Sequence, residues 1–179
     1  MQTLIIQHIG SAPDKFELLR LKDGKRTQAV EIPSPDTFPV QGRPDSNLSR
    51  ELRWYLEEFL DYPFEPYTDV AERVLQSLKD WGETAFNALF GSREGGKMLD
   101  DAIKDGYQNL HLQISSDDPA ILAWHWEALK DPMAEPFAHL YQIERKLNQI
   151  LDPVPLSAKL PQDCVNILLV TARPFEHDV

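Results

Sequence analysis

Cysteine is almost missing from this chain. Cys164 is the only one in 179 residues, so no intrachain disulfide can form. Cations are scarce relative to anions: 18 Lys and Arg face 29 Asp and Glu, giving a net charge of −11. Nucleic acid is therefore not expected as a partner, because phosphate binding needs clustered Lys and Arg and these are scattered. No apolar run approaches the ~20 residues that span a bilayer, and no membrane partner is expected. The N-terminus, MQTLIIQHIG, lacks a basic leader and a long apolar core. It reads as a first strand, not a signal peptide, and a cytoplasmic location is expected. Glycine motifs for phosphate are also lacking: Ser92–Gly96 (SREGG) fits neither G-x-G-x-x-G nor a Walker pattern. The five histidines, His8, His111, His125, His139 and His177, match no metal-ligand spacing. No metal and no cofactor are expected.

What is present has clear periodicity. Thr3–Ile9, Phe16–Leu21 and Thr27–Ile32 read as three short strands, with Asp23-Gly24 as a hairpin signal. They predict an antiparallel meander over residues 1–33. Residues 34–46 hold most of a proline-rich stretch and predict a linker. Asn47–Leu60 predicts a helix with Leu48, Leu52, Tyr55, Leu56 and Phe59 on one stripe. A longer helix is expected from about Thr68 to Phe90, ended by Gly91, Gly95 and Gly96, and a short one over Lys97–Asp105 with Gly106 at its end. Asn109–Ser115 alternates cleanly and predicts a half-buried strand. Asp117-Asp118-Pro119 reads as a turn, Trp126–Leu129 as a short helix, and Phe137–Ile143 as a strand. Val165–Thr171 (VNILLVT) reads as a strand buried on both faces, of the kind found in parallel sheets. A parallel neighbour needs a crossover of a dozen or more residues. The chain is therefore expected to be the front portion of a larger α/β domain.

Several side chains invite chemistry. Cys164 would need a base within hydrogen-bond reach to act as a nucleophile; at the entry of an apolar strand it reads more simply as a small filler. The Asp117-Asp118 pair could do acid–base work, but before Pro119 it more simply caps a turn. Trp124-His125-Trp126 could wall a ligand, and large aromatics more often build cores and interfaces.

Three segments in order, Leu52–Pro66 (LRWYLEEFLDYPFEP), Ala120–Pro132 (AILAWHWEALKDP) and Asn166–Pro174 (NILLVTARP), resemble the N-terminal half of the CHAT domain. That is a caspase-like peptidase domain often found beside tetratricopeptide repeats in prokaryotes. The family's middle segment reads leucine–proline–tryptophan–glutamate; here Trp126-Glu127 match and His125 departs. Tyr141–Leu147 (YQIERKL) fits the Arg-bearing strand that precedes the first caspase strand. The likeness covers roughly residues 47–179. It implies an α/β fold: a partial caspase-like sheet with packed helices, preceded by the small antiparallel β-meander. The meander is either an added edge or a docking module. The resemblance also implies that the catalytic His and Cys follow strands later than Val165–Thr171. Neither Cys164 nor His177 would then be catalytic, while Arg173, His177 and Asp178 would edge a substrate cleft. The expected function is the non-catalytic N-terminal portion of a CHAT-type cysteine peptidase, inactive alone. Its expected partners are proteins: the missing catalytic half, a repeat or regulatory domain, a protein substrate. The alternatives are a non-enzymatic interaction module pairing through an open sheet edge, and an unrelated hydrolase built on Cys164 and a His.

Overall fold

The computed structural model describes residues 2–9, 15–132 and 142–148. Residue contacts divide the chain into Met1–Gln149 and Ile150–Val179, and every described element belongs to the first unit. The chain is α/β. Its strands are β1 (Gln2–His8), β2 (Lys15–Arg20), β3 (Lys25–Arg26), β4 (Val30–Glu31), β5 (Pro39–Val40), β6 (Arg43–Asn47), β7 (Leu110–Ser116) and β8 (Gln142–Leu147). Its helices are α1 (Leu48–Glu57), α2 (Thr68–Phe90), α3 (Arg93–Ile103) and α4 (Pro119–Leu122), with 3-10 turns at Phe59–Asp61, Tyr107–Asn109 and Trp126–Ala128.

The main sheet runs β3-β2-β1-β7-β8, with β4 also on β2. β1 pairs antiparallel with β2 and parallel with β7, and β7 pairs parallel with β8. The N-terminal hairpin is thus part of the same sheet as β7, and β1 lies inside it. This placement explains the Leu4-Ile5-Ile6 run, in which all three residues are buried; a strand covered on both faces has no need to alternate. The β2–β3 hairpin turns through Gly24, at φ 69°, a conformation that glycine adopts without steric cost. Arg20 ion-pairs there with Asp23 and, from α3, with Asp101.

The register sorts the side chains by face. Leu4, Ile6 and His8 share one face with Phe16, Leu18, Leu112, Ile114, Ser116, Ile143 and Arg145. α2 packs against β2 and β4, α3 against β1, and α4 against β7 and β8. Phe16, Trp81, Trp124 and Trp126 form the aromatic centre of this core, with ring centroids 5.4–6.2 Å apart. The buried Trp81 indole N–H donates to Pro33 O at 2.8 Å, so a core tryptophan also fixes the proline-rich stretch.

Local differences from the expectations have identifiable causes. The 34–46 stretch, expected as a linker, carries the β5–β6 hairpin. Val40 is buried, and the hairpin contacts both α1 and α2. Prolines are tolerated here because the pairing is short and peripheral. In α1, capped by the Asn47 side chain accepting from Arg50 N, the stripe is narrower than expected. Leu48 and Leu52 are buried while Leu56 is 55% exposed. α3 begins four residues before the expected Lys97. Ser92 caps it by accepting from Gly95 N at 3.0 Å, and Gly95 lies against Leu89 O, where a Cβ would fall 2.1 Å away. Gly95 is therefore a close-approach residue inside the first turn, not a helix breaker. Most of the expected Phe137–Ile143 strand, and all of Val165–Thr171, lie outside the described residues.

Candidate functional site

In open α/β sheets ligands bind beyond the carboxyl ends of the strands. Here β1, β7 and β8 point the same way and end at His8, Ser116 and Leu147. His8 Nδ1 lies 2.9 Å from Ser116 Oγ, a contact across 108 positions of sequence. The His8 ring also packs on Phe16 at 5.4 Å. Ser116 Oγ accepts the Asp118 N–H at 2.9 Å, and Asp118 in turn caps α4 by accepting from Ala120 N. The Ser115 hydroxyl hydrogen-bonds to the Asn148 side-chain oxygen, and Asn148 N donates to Ser116 O.

A serine hydroxyl at this distance from an imidazole is a nucleophile–base geometry. Ser116 is fully buried, however, and its oxygen already holds the turn after β7. A substrate carbonyl cannot reach the Ser116 oxygen, although the His8 ring is only partly buried. The Asp117-Asp118 pair is divided in role: Asp118 is the helix cap, in line with the turn expected there.

Next to this end lies an Arg-centred cluster. Arg145 of β8 donates from Nε to Leu122 O at 2.7 Å and from Nη2 to Trp124 O at 3.4 Å. It meets Glu127 through both guanidinium ends, Nη2–Oε2 at 2.6 Å and Nη1–Oε1 at 2.5 Å. The paired fork fits a carboxylate bidentately. Trp126, the residue before Glu127, is fully buried, and its indole N–H donates to Ile121 O at 2.8 Å. One arginine thus ties β8 to the carbonyls at the end of α4 and to the turn carrying Trp126-Glu127.

The cluster sets its own ionisation. Partial burial disfavours the Glu127 carboxylate, but hydrogen bonds and charge from Arg145 outweigh it and hold the carboxyl below its ordinary value. His125 is pushed below its ordinary value, chiefly by burial; Glu127 opposes this and Arg145 adds to it. Both shifts favour neutral His125 beside an ionised Glu127.

No family model, curated protein or solved structure matches the chain.

The expected site residues are distributed as follows. Glu127 is brought against Arg145, while Trp126 lies in the aromatic core. Trp124 and Trp126 stack on each other at 5.6 Å within the core. His111 Nε2 lies 3.0 Å from Glu144 Oε2 across β7 and β8. Among the described residues no three His, Cys, Asp or Glu groups are arranged to hold a metal ion, and no helix is long and apolar enough to cross a membrane. Cys164, Arg173, His177, Asp178 and His139 lie outside the described residues. The His8–Ser116 contact was not anticipated; its only sequence signal is a polar residue ending each of two apolar strands.

Proposed function

We propose that this chain is the non-catalytic N-terminal portion of a CHAT-type, caspase-like cysteine peptidase of the cytoplasm. It works with a downstream or partner segment that supplies the catalytic His and Cys. The observation that carries this reading is the fork of Arg145 on Glu127, the residue that follows the buried Trp126. Glu127 and Arg145 come from two of the segments that resemble the family, and Arg145 also bonds the Leu122 and Trp124 carbonyls. The parallel β1-β7-β8 order also supports it, since a parallel sheet is the framework on which such a peptidase is assembled. In this role the chain contributes rigidity. Arg145 holds β8 in register against the Trp126 turn, which presents a template for the next parallel strand. Arg173, His177 and Asp178 are proposed at the edge of the substrate cleft.

Thiolate attack needs a Cys, a base and an oxyanion hole in one site. Among the described residues the nearest approach to such a set is the His8–Ser116 pair, whose serine is fully buried. The test is a peptidase assay on the chain together with the segment carrying the proposed His and Cys. Activity is expected only from the assembly, and Cys164→Ala should leave it unchanged. Loss of activity in a Cys164→Ala protein that remains folded would overturn the assignment.

A second reading, a regulatory interaction module, is favoured by an exposed aromatic surface over residues 54–67. Strand addition at the β2 edge is not the route to it. The two-residue strands β3 and β4 cover that edge and bring Lys25 and Arg26 to it, both devices that blunt edge pairing.

A further inference from the structure

Between α1 and α2 the chain leaves a depression of about 400 Å³ lined by Trp54, Glu58, Phe59, Tyr62, Phe64 and Tyr67, with Glu65 at its rim. Its aromatic residues are unusually open: Tyr62 is 76% exposed, Phe64 70% and Tyr67 54%. Large aromatics in such numbers at the surface mark a recognition site more often than a solvated loop. The rings are nevertheless ordered against each other. Trp54 lies 5.6 Å from Phe59 and 6.3 Å from Tyr67, and Tyr55 stacks on Phe59 at 5.4 Å. Backbone bonds Phe64 N to Tyr62 O and Tyr67 N to Phe64 O fold the connecting loop on itself. Glu65 is oriented by the Thr68 hydroxyl at 2.5 Å.

The charges around the rings are mostly negative. Glu58 has no ion-pair partner among the described residues, and Asp61 is exposed nearby in sequence. Of the neighbouring cations, Arg53 pairs with Glu57 at 2.8 Å, and Arg43 with Glu51 at 3.1 Å and over the Trp54 ring at 5.7 Å; Arg50, which lines the adjoining depression with Trp54 and Glu58, has no ion pair among the described residues. Arg43 already occupies part of Trp54 as a cation would, which shows how the ring accepts one.

We propose that this groove docks a basic segment of a partner protein, in which Lys or Arg alternates with apolar residues. The cation would lie among the rings and against Glu58 and Glu65, and the apolar residues on Tyr62 and Phe64. A second copy of the chain fits less well, because each carries −11 and the docked rims would repel. The proposal does not depend on the peptidase reading.

The experiment uses the full chain and a short fluorescein-labelled peptide of alternating Arg and Leu, with its Glu–Leu counterpart as control. The Arg–Leu peptide should bind, weaken with salt, and change the emission of Trp54; Trp81 and Trp126 are fully buried. Tyr62→Ala and Phe64→Ala, which remove open side chains, should each lower affinity about fivefold or more. Glu58→Gln with Glu65→Gln should lower it and flatten the salt dependence, with the circular dichroism spectrum unchanged. Equal binding of the Glu–Leu peptide, or wild-type affinity in the Phe64→Ala protein and in the Glu58→Gln, Glu65→Gln double variant, overturns the proposal. So does a dimer abolished by Phe64→Ala, which would assign the surface to a second copy. Binding to phosphatidylcholine vesicles abolished by the same change would assign it to lipid, and also overturns it.

Discussion

Gly82 sits in the middle of a 23-residue helix, where alanine would ordinarily stabilise by about 1 kcal/mol. The structure reverses the sign. A Cβ at Gly82 would fall 1.9 Å from Ala128 O and 2.6 Å from Ala128 C, whereas real Cβ contacts stay above 3.0 Å. The obstacle is backbone, not the end of a flexible side chain. Relief therefore requires α2 and the Trp126–Ala128 turn to separate by at least about 1.1 Å, the shortfall between 1.9 and 3.0 Å. That movement opens the packing of Trp81 on Trp124 and Trp126, now at 6.2 and 6.1 Å between centroids. Overpacking of this kind costs about 1–3 kcal/mol, and lost aromatic packing adds about 0.5–1.5 kcal/mol per pair. Net of the helix gain, and with both aromatic pairs counted, Gly82→Ala should destabilise by about 1–5 kcal/mol. Urea unfolding followed by tryptophan fluorescence measures this directly, as a lower midpoint at constant slope. The exposed Asn87→Ala in the same helix is the control and should be neutral or slightly stabilising. A Gly82→Ala protein as stable as wild type, or more so, would refute the close approach of α2 to the Trp126 turn.

Two further outcomes follow from charge. Stability should fall as the solution is acidified, in two windows. His125 has a folded pKa below its ordinary 6.5, so its neutral form stabilises the fold above 6.5 and that contribution is lost as pH drops toward the lowered value. Glu127, held below its ordinary 4.5, loses its contribution only as pH falls below 4.5. His125→Asn should remove the upper slope and Glu127→Gln part of the lower one in thermal melts across pH; unchanged slopes would contradict the cluster's electrostatics. Arg43→Ala leaves the nearly buried Glu51 carboxylate without its cation. It should cost about 2 kcal/mol in urea unfolding, below the 3–5 of a fully buried pair because Arg43 is 41% exposed, and Glu51→Gln in the same chain should recover part of it.

Local pattern accounts for a large share of the fold. The spacing of Val74, Trp81, Ala85 and Leu89 gives α2 its apolar stripe over the expected Thr68–Phe90 span. The alternation Leu110, Leu112, Ile114 places β7 within one residue of its expected bounds. Such signals survive because each depends on which side of an element faces the core, a property of neighbours in sequence. The expectation for residues 34–46 differed because proline content reports backbone donors lost, not whether Val40 finds a core. Gly95 and Gly96 looked like breakers because glycine's helix cost is local, whereas the reason for Gly95 is the Leu89 carbonyl it lies against.

The sequence alone therefore determined the longer elements, α2 and β7 among them, and which of their faces are apolar. Only the tertiary structure decided the long-range partners: β1 beside β7 across about a hundred residues, His8 on Ser116, and Arg145 on Glu127 and the carbonyls at the end of α4. The reason is physical. Periodicity encodes burial, and burial is nearly indifferent to what covers a residue. Pairing depends on register and directional hydrogen bonds between groups remote in sequence, and these exist only once the chain has closed upon itself.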